Sequence, residues 1–310
     1  MNARGNAGKL LGRSGIHVLL ILAGLTMLLP FFWMLSTSFR STLEITREPH
    51  RFVPEVFRPG AGGPAGGDAG ALSQAGKNEA TQGRSAGRIF VNYLDAWKSA
   101  PFGRYFFNTV FVALACVAGV VVTSALAAYA FARMRFKGRD WIFMLFLSMM
   151  MVPEPVYVVP SFIILARLHW LDTYYALIVP WLVNVFSIFL MRQHFKTIPQ
   201  DLFDAATIDG AGRFAILWRI VLPLSKAIIV TIVLFTIIGS WNSFLWPLVM
   251  THSPEMRLIQ IGLAAFSQEE GTEYGLMMAA TCLSVLPLLI LYFFAQKQII
   301  ASMASSGLKE

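Results

Sequence analysis

Charge is what this 310-residue sequence has least of: 14% of its residues are Asp, Glu, Lys or Arg, against 56% hydrophobic. Its mean hydropathy is +0.61. A soluble protein devotes roughly a quarter of its residues to charge, so this composition excludes an aqueous globular fold for most of the chain. Cysteine is as scarce. Cys116 and Cys282 both lie inside apolar runs, which reads as two small buried hydrophobes rather than a disulfide or a thiolate metal pair. Catalytic signatures are missing as well: no H-E-x-x-H, G-x-S-x-G or clustered Cys/His set occurs. The nearest approach to a phosphate-cradling loop is GALSQAGKN. It is one residue too long for G-x-x-x-x-G-K-[ST] and places Asn78 where a hydroxyl would meet magnesium. If ATP drives an uphill step here, the ATPase is expected on another chain.

Long apolar runs are what the sequence does have. About 20 residues of helix cross roughly 30 Å of hydrocarbon, and six segments qualify: about 16–38, 105–132, 141–166, 173–191, 227–250 and 274–296. Their length, and the absence of period-2 alternation, predict helices rather than a barrel. The fold class is therefore all-α, with six transmembrane helices. The third run is interrupted by VPEPVYVVP. Arg4, Lys9 and Arg13 before the first run resemble a secretory signal, but the run is too long and no A-x-A site follows, so it reads as a retained span.

The net charge of +8 is a matter of topology, not a nucleic-acid footprint, because the cations sit in the connectors. Arg133, Arg135, Lys137 and Arg139 follow the second run, and Arg192, Lys196, Arg213, Arg219 and Lys226 separate the fourth from the fifth. The opposite connectors carry Arg167 and Arg257, with Glu255, Glu269, Glu270 and Glu273. This asymmetry predicts cytoplasmic N and C termini. The expected organisation is a cytoplasmic start and first helix over 1–38, then an external segment over 39–104. A core of five helices follows over 105–296 with a cytoplasmic loop at 192–226, and a cytoplasmic tail over 297–310. Within the external segment, residues 59–87 are rich in Gly and Ala, with too little apolar surface to offset the entropy of ordering, and read as a flexible insertion.

One connector is more elaborate than a turn requires: DAATIDGAGRFAILWRIVLPLSK, residues 204–226. Pro199 suits a first helical turn, Asp201 and Asp204 complement the positive end of its dipole, and Gly210 suits a left-handed position past its end. A second short helix, about 212–221, is expected to stop at Pro223. Leu202, Phe203, Ala206 and Ile208 recur at helical spacing, with Ala205 small enough for close approach. Such a face serves equally for packing on headgroups or the chain's own spans, or as a docking peg for a partner.

The same stretch resembles the EAA loop, E-A-A-x-x-x-G-x(9)-I-x-L-P, of permease subunits in binding-protein-dependent ABC importers. Ala205, Ala206, Gly210, Ile220, Leu222 and Pro223 fall on the pattern, and Asp204 stands where Glu is usual, keeping the charge on a shorter arm. The segments TSFR, NYLDAWKSAPFGRYFFNT, MVPEPVYVVPSF, LDTYYALIVP, FLMRQHFKTIP, WNSFLWPL, GLMMAATCLSVLP and QIIASMASSGLKE are similar to the maltose-type, carbohydrate-importing branch. The 59–87 insertion departs from it. The resemblance implies the type I importer permease fold in a bacterial inner membrane. It also implies a coupling helix at Asp204, Ala205, Ala206, Asp209 and Gly210, completed by Pro223, with Ser305, Ser306 and Gly307 reaching toward the same partner. The partners implied are a homologous second permease, an ATPase dimer that binds ATP and Mg, an external solute-binding protein and a carbohydrate. No cofactor is implied in this chain.

A hydroxylated solute crossing lipid needs polar partners and flat apolar faces. Glu154, between two prolines inside the third run, and Trp241, Asn242 and Phe244 in the fifth are the candidates for its path, with Ser243 beside them. About twenty residues of helix beyond Lys226 would carry Trp246 to the aromatic belt, and Asn108 reads as a structural amide. The alternatives are an importer for a glycerol phosphodiester or a polyamine, and a stand-alone secondary transporter, which lacks support in paired intramembrane charges.

Overall fold

The computed structural model describes residues 3–48, 53–54, 90–268 and 271–307; the insertion expected at 59–87 lies outside them. The chain divides into two compact units, one of Met1–Ser99 with Phe266–Ser284, the other of Ala100–Ala265 with Val285–Glu310.

The first unit begins with α1 (Ala3–Ser38), whose apolar stretch Gly15–Ser38 is spanning in length and has none of its window buried. The TSFR segment that follows is locked rather than loose. Arg40 is 1% exposed; its guanidinium pairs with Glu44 at 3.2 Å and donates to the carbonyls of Glu44, in α2 (Thr42–Arg47), and of Glu48, which caps that helix. From α3 (Val91–Ser99), the Asn92 amide donates to the carbonyls of Ser38 (2.8 Å) and Arg40 (2.9 Å). The Tyr93 hydroxyl shares a 2.7 Å hydrogen bond with Ser38, and burial pushes its pKa up to about 12. Gly275 completes the clamp, since a Cβ there would lie 2.8 Å from the Arg40 carbonyl.

In the second unit α4 (Phe102–Arg133) is the central element. One of its sides is largely small (Ala113, Cys116, Ser124, Ala125, Ala128) and buried, as interfaces between membrane helices are when backbones approach closely. A Cβ on Gly119 would stand 2.2 Å from Leu182 Cδ2, while the Thr123 hydroxyl donates to the Leu182 carbonyl at 2.5 Å. The chain continues through α5 (Arg139–Met149), α6 (Glu154–Arg167), α7 (Tyr174–Ile178) and α8 (Val185–Thr197). After α9 (Gln200–Ile208) and α10 (Arg213–Ile216) a π-helical turn over Leu217–Val221 leads into α11 (Leu222–Leu224). Then come α12 (Lys226–Trp241), α13 (Leu245–Met250) and α14 (Ile259–Ala264). The chain returns to the first unit in a two-residue-per-strand hairpin, β1 (Ser267–Gln268) and β2 (Gly271–Thr272), and the first part of the long α15 (Tyr274–Gly307), whose remainder from Val285 belongs to the second unit.

Phe102–Arg133, Tyr174–Thr197 and Tyr274–Gln296 are long and apolar enough to cross a membrane, as is the end of α1. Two further spans are bent: α5 and α6 meet at 100°, and Arg213–Leu224 meets Lys226–Trp241 at 81°. Six apolar elements thus correspond to the six runs, with three corrections. The fifth run is not one helix over 227–250. Its helix ends at Trp241 because Pro247 has no N–H and its ring would collide with the Ser243 carbonyl one turn back; the Asn242 side chain takes up the Ile238 carbonyl at 2.9 Å. Trp246, expected among exposed interfacial indoles, is instead packed inside: it is 2% exposed, donates Nε1–H to the Ala176 carbonyl at 2.9 Å and meets Trp181 edge-on at 5.3 Å. Finally, the helix after the loop does not stop at Pro223. The π turn shifts the backbone bonding ahead of that proline and carries the helix to Leu224, so the bend falls at Ser225, whose hydroxyl donates to the Val221 carbonyl at 2.6 Å.

Candidate functional site

The elaborate connector begins where α8 ends. Pro199 (φ −57°, ψ 141°) caps α9, placing Gln200 rather than itself in the first turn. Gly210 sits at φ +77°, and the amide of Ala211 reaches back to the Ala206 carbonyl at 2.9 Å, a six-to-one closure that needs the left-handed residue. Nothing lies within 4 Å of a Cβ added to Gly210, so the requirement is conformational, not steric.

The nine residues of α9 face two ways. Phe203 and Ala206 are each 6% exposed and join a cluster with Tyr129, Phe195, Ile198 and Leu217. Asp204, Ala205, Asp209 and Gly210 are exposed, as are Leu202 and Ile208, the latter 86% exposed. The expected apolar face is thus divided: Phe203 and Ala206 anchor the helix, and Leu202, Ala205 and Ile208 look outward. Pro223 is exposed and separate from α9, just ahead of the 81° bend.

Sequence reasoning missed the residue that joins these parts. Arg133, the last residue of α4, holds its guanidinium 4.1 Å from the centre of the Phe203 ring. It donates to the Phe195 carbonyl at 2.6 and 3.1 Å, to the Ile198 carbonyl, and to Gln200 Oε1 at 3.0 Å. Gln200 in turn donates to Asp204 at 2.9 Å. One side chain therefore ties the end of α4 to the closing carbonyls of α8 and to both ends of the first turn of α9. A cation closing a helix is the sequence signal for such a role. The exposed carboxylates and apolar side chains on a firmly seated helix form a surface suited to a partner that moves the helix as a rigid unit.

The candidates for a solute path sit at two helix breaks. Glu154 opens α6 in partly exposed surroundings, one turn ahead of Tyr157, whose ring lies 6.4 Å from Trp246. Trp241, Asn242 and Phe244 stand together at the end of α12. Trp241 is 4% exposed, edge-on to Phe106 at 5.7 Å, and its carbonyl accepts from Gln260 at 3.2 Å. Asn242 is exposed and Phe244 is 41% exposed, leaving one amide and one ring face accessible beside a buried indole. The structure sets Glu154 one turn from Tyr157, whose ring meets Trp246 of α13, and it gathers the other three at one break. Beyond α13 the chain is latched. Asn108, fully buried, donates to the Glu255 and Arg257 carbonyls and accepts from the Tyr174 hydroxyl at 2.6 Å. Asp172, at φ +59°, accepts from the His252 and Ser253 amides at 3.0 Å each. Ser305, Ser306 and Gly307 end α15.

Residues 119–305 match the family described as the binding-protein-dependent transport system inner membrane component. The chain is 34% identical over 221 residues to the arabinooligosaccharides transport system permease protein AraQ of Bacillus subtilis (strain 168), covering 71% of this chain and 79% of that one. It is 30% identical over 292 residues to the diacetylchitobiose uptake system permease protein NgcG of Streptomyces coelicolor, covering 93% and 86%. The sn-glycerol-3-phosphate transport system permease protein UgpE of Yersinia enterocolitica is 35% identical over 210 residues, covering 67% and 75%. In three dimensions the chain shares its fold, at a TM-score of 0.73 and 23% identity, with a chain of a bacterial ABC transporter involved in the import of the acidic polysaccharide alginate. That match covers 94% of this chain and 97% of that one. With most of its membrane-spanning residues inside the family match, the chain belongs to the inner membrane components of binding-protein-dependent transport systems.

Proposed function

We propose that this multi-pass inner-membrane protein is one of two permease subunits in an ATP-driven importer of a carbohydrate. In this reading the termini and α9 are cytoplasmic. An ATPase dimer, which binds the ATP and Mg, seats the outward face of α9 through Asp204, Ala205, Asp209 and Gly210. A second, homologous permease completes the path, and an external binding protein delivers the solute. The supporting observation is α9 itself: an exposed apolar and acidic face on a helix whose other face is anchored to α4 and α8 through Arg133 and Phe203. A push on such a helix is transmitted to two spans at once, as rigid-body switching between inward- and outward-open states requires.

Carbohydrate as the solute is supported by the oligosaccharide names of two relatives and by the accessible Asn242 amide and Phe244 ring at the α12 break. UgpE favours a second reading, in which the solute is a glycerol phosphate. A phosphate dianion calls for cationic partners, and none stands among Glu154, Trp241, Asn242 and Phe244. The experiment is co-purification of the tagged chain, followed by reconstitution of the recovered complex with its binding protein. Oligosaccharide-stimulated ATP hydrolysis and uptake support the carbohydrate reading, and stimulation by glycerol phosphate alone replaces it. Uptake by the chain alone, driven by an ion gradient, would replace both with a secondary transporter.

A further inference from the structure

Between α4 and α5 the chain turns through MRFKGRD, and the turn borders a shallow, open cleft of about 420 Å³ lined by Arg135, Phe136, Gly138, Arg139, Asp140 and Trp141. Its electrostatics are unbalanced. Asp140 is shared by Arg139 at 3.1 Å and by Arg192 at 3.3 Å, and Arg192 is held in place by the Phe143 ring 3.9 Å from its guanidinium. Among the described residues no carboxylate pairs with Arg135 or Lys137, and Lys196 adds a further positive charge to the field around Asp140. Three cations, Arg139, Arg192 and Lys196, thus act on one acid, and Arg135 lines the same cleft without a carboxylate of its own. Gly138, at φ +82°, forms the corner.

The cleft is amphipathic in a particular direction. Trp141 is 77% exposed at its rim, and below it α5 leaves Met144, Leu145 and Met149 each at least 60% exposed. A free anion would use the cations and ignore this apolar wall. A ligand with a phosphate at one end and hydrocarbon at the other uses both, and basic pockets beside membrane helices match acidic lipid headgroups in this way. We propose that the cleft binds the phosphate of an anionic phospholipid, its acyl chains lying along the exposed apolar face of α5. Trp141 stands at the boundary between the two, where indoles are favoured.

The test is native mass spectrometry of the purified transporter complex, titrated with phosphatidylglycerol or with phosphatidylcholine of the same chain length. Phosphatidylglycerol is expected to be retained at least about tenfold more tightly, with R135Q weakening it about fivefold and K137Q, on the same turn but outside the cleft lining, weakening it less. W141A also weakens retention, and R167Q, a charge change at the far end of α6, leaves it unchanged. Both replaced cations are exposed, and unaltered thermal melting verifies that the variants fold. Equal retention of the two lipids overturns the proposal. Displacement of the lipid by an equal concentration of water-soluble glycerophosphoglycerol overturns it in favour of a free anion. Loss of the ATPase subunits from R135Q or K137Q, with lipid retention intact, overturns it in favour of an acidic protein surface.

Discussion

At the scale of single residues, position decides more than chemical type. Asp204 and Asp209 are solvent-exposed carboxylates of the kind any surface helix carries, whereas Arg133, unremarkable in the sequence, makes four hydrogen bonds and a ring contact. A truncated R133A leaves the Phe195 and Ile198 carbonyls without their charged donor, at about 2–3 kcal/mol. The expected outcome is a lower melting temperature of the complex and solute-independent ATP hydrolysis. R133K does not restore coupling, because an ammonium cannot reproduce the planar fork. G119A is expected to cost about 1–3 kcal/mol by overpacking against Leu182, and L182A in the same chain to recover most of it in a thermal-melt double-mutant cycle. Burial raises the Asp172 carboxyl pKa, but the Ser253 hydroxyl and the Ser253 and His252 amides hold it below its usual 3.8. Its contribution is therefore complete above pH 3.8 and fades as the pH falls through the lower folded value. Melting curves of D172A should lose that acid-range component.

At the scale of elements, the runs were legible and their interruptions only partly so. Run length and missing charge specify spans, so the spanning stretches Gly15–Ser38, Phe102–Arg133 and Tyr274–Gln296 correspond to their segments within about three residues, while the helices α1 and α15 run on beyond them. VPEP at the middle of the third run announced its break. Pro247 in the fifth run gave the same warning one turn late, and Trp246, expected at the aromatic belt, is a core residue. Hydropathy records how greasy a residue is, not which neighbour it meets. In the connector the reverse holds: caps and the left-handed glycine are local signals, and Gly210 is where they placed it. The division of α9 into anchor and outer face depends on Arg133 and Phe195, remote in sequence, and no spacing rule contains it. Two outcomes follow. I208D adds a charge to the outer face without touching the anchor, and is expected to strip the ATPase subunits from a chain that still inserts, as read by pull-down from membranes. P223A removes the need for the π turn, and spin labels at residues 214 and 235 are expected to report a straightened bend.

At the scale of the whole molecule, the apolar surface exceeds what one chain can cover. The spanning part of α1 is exposed throughout its window, in keeping with a subunit whose surroundings are lipid and other chains. Sidedness remains a prediction of charge asymmetry: a cysteine introduced at Ala205 should react with an impermeant maleimide only after the membrane is opened, and one at Arg257 in intact cells. Labelling in the opposite order would invert the proposed topology and remove the ATPase from α9.

The clamp around Arg40 has a practical use. Asn92 grips the Ser38 and Arg40 carbonyls from the far side of some fifty intervening residues, so the two flanks are fastened to each other whatever hangs between them. Closing a longer loop costs little more than closing a shorter one, about 0.6 kcal/mol per doubling. A fluorescent reporter spliced in place of residues 59–87 should consequently leave uptake unaffected, offering a handle for single-particle tracking without touching either end of the polypeptide.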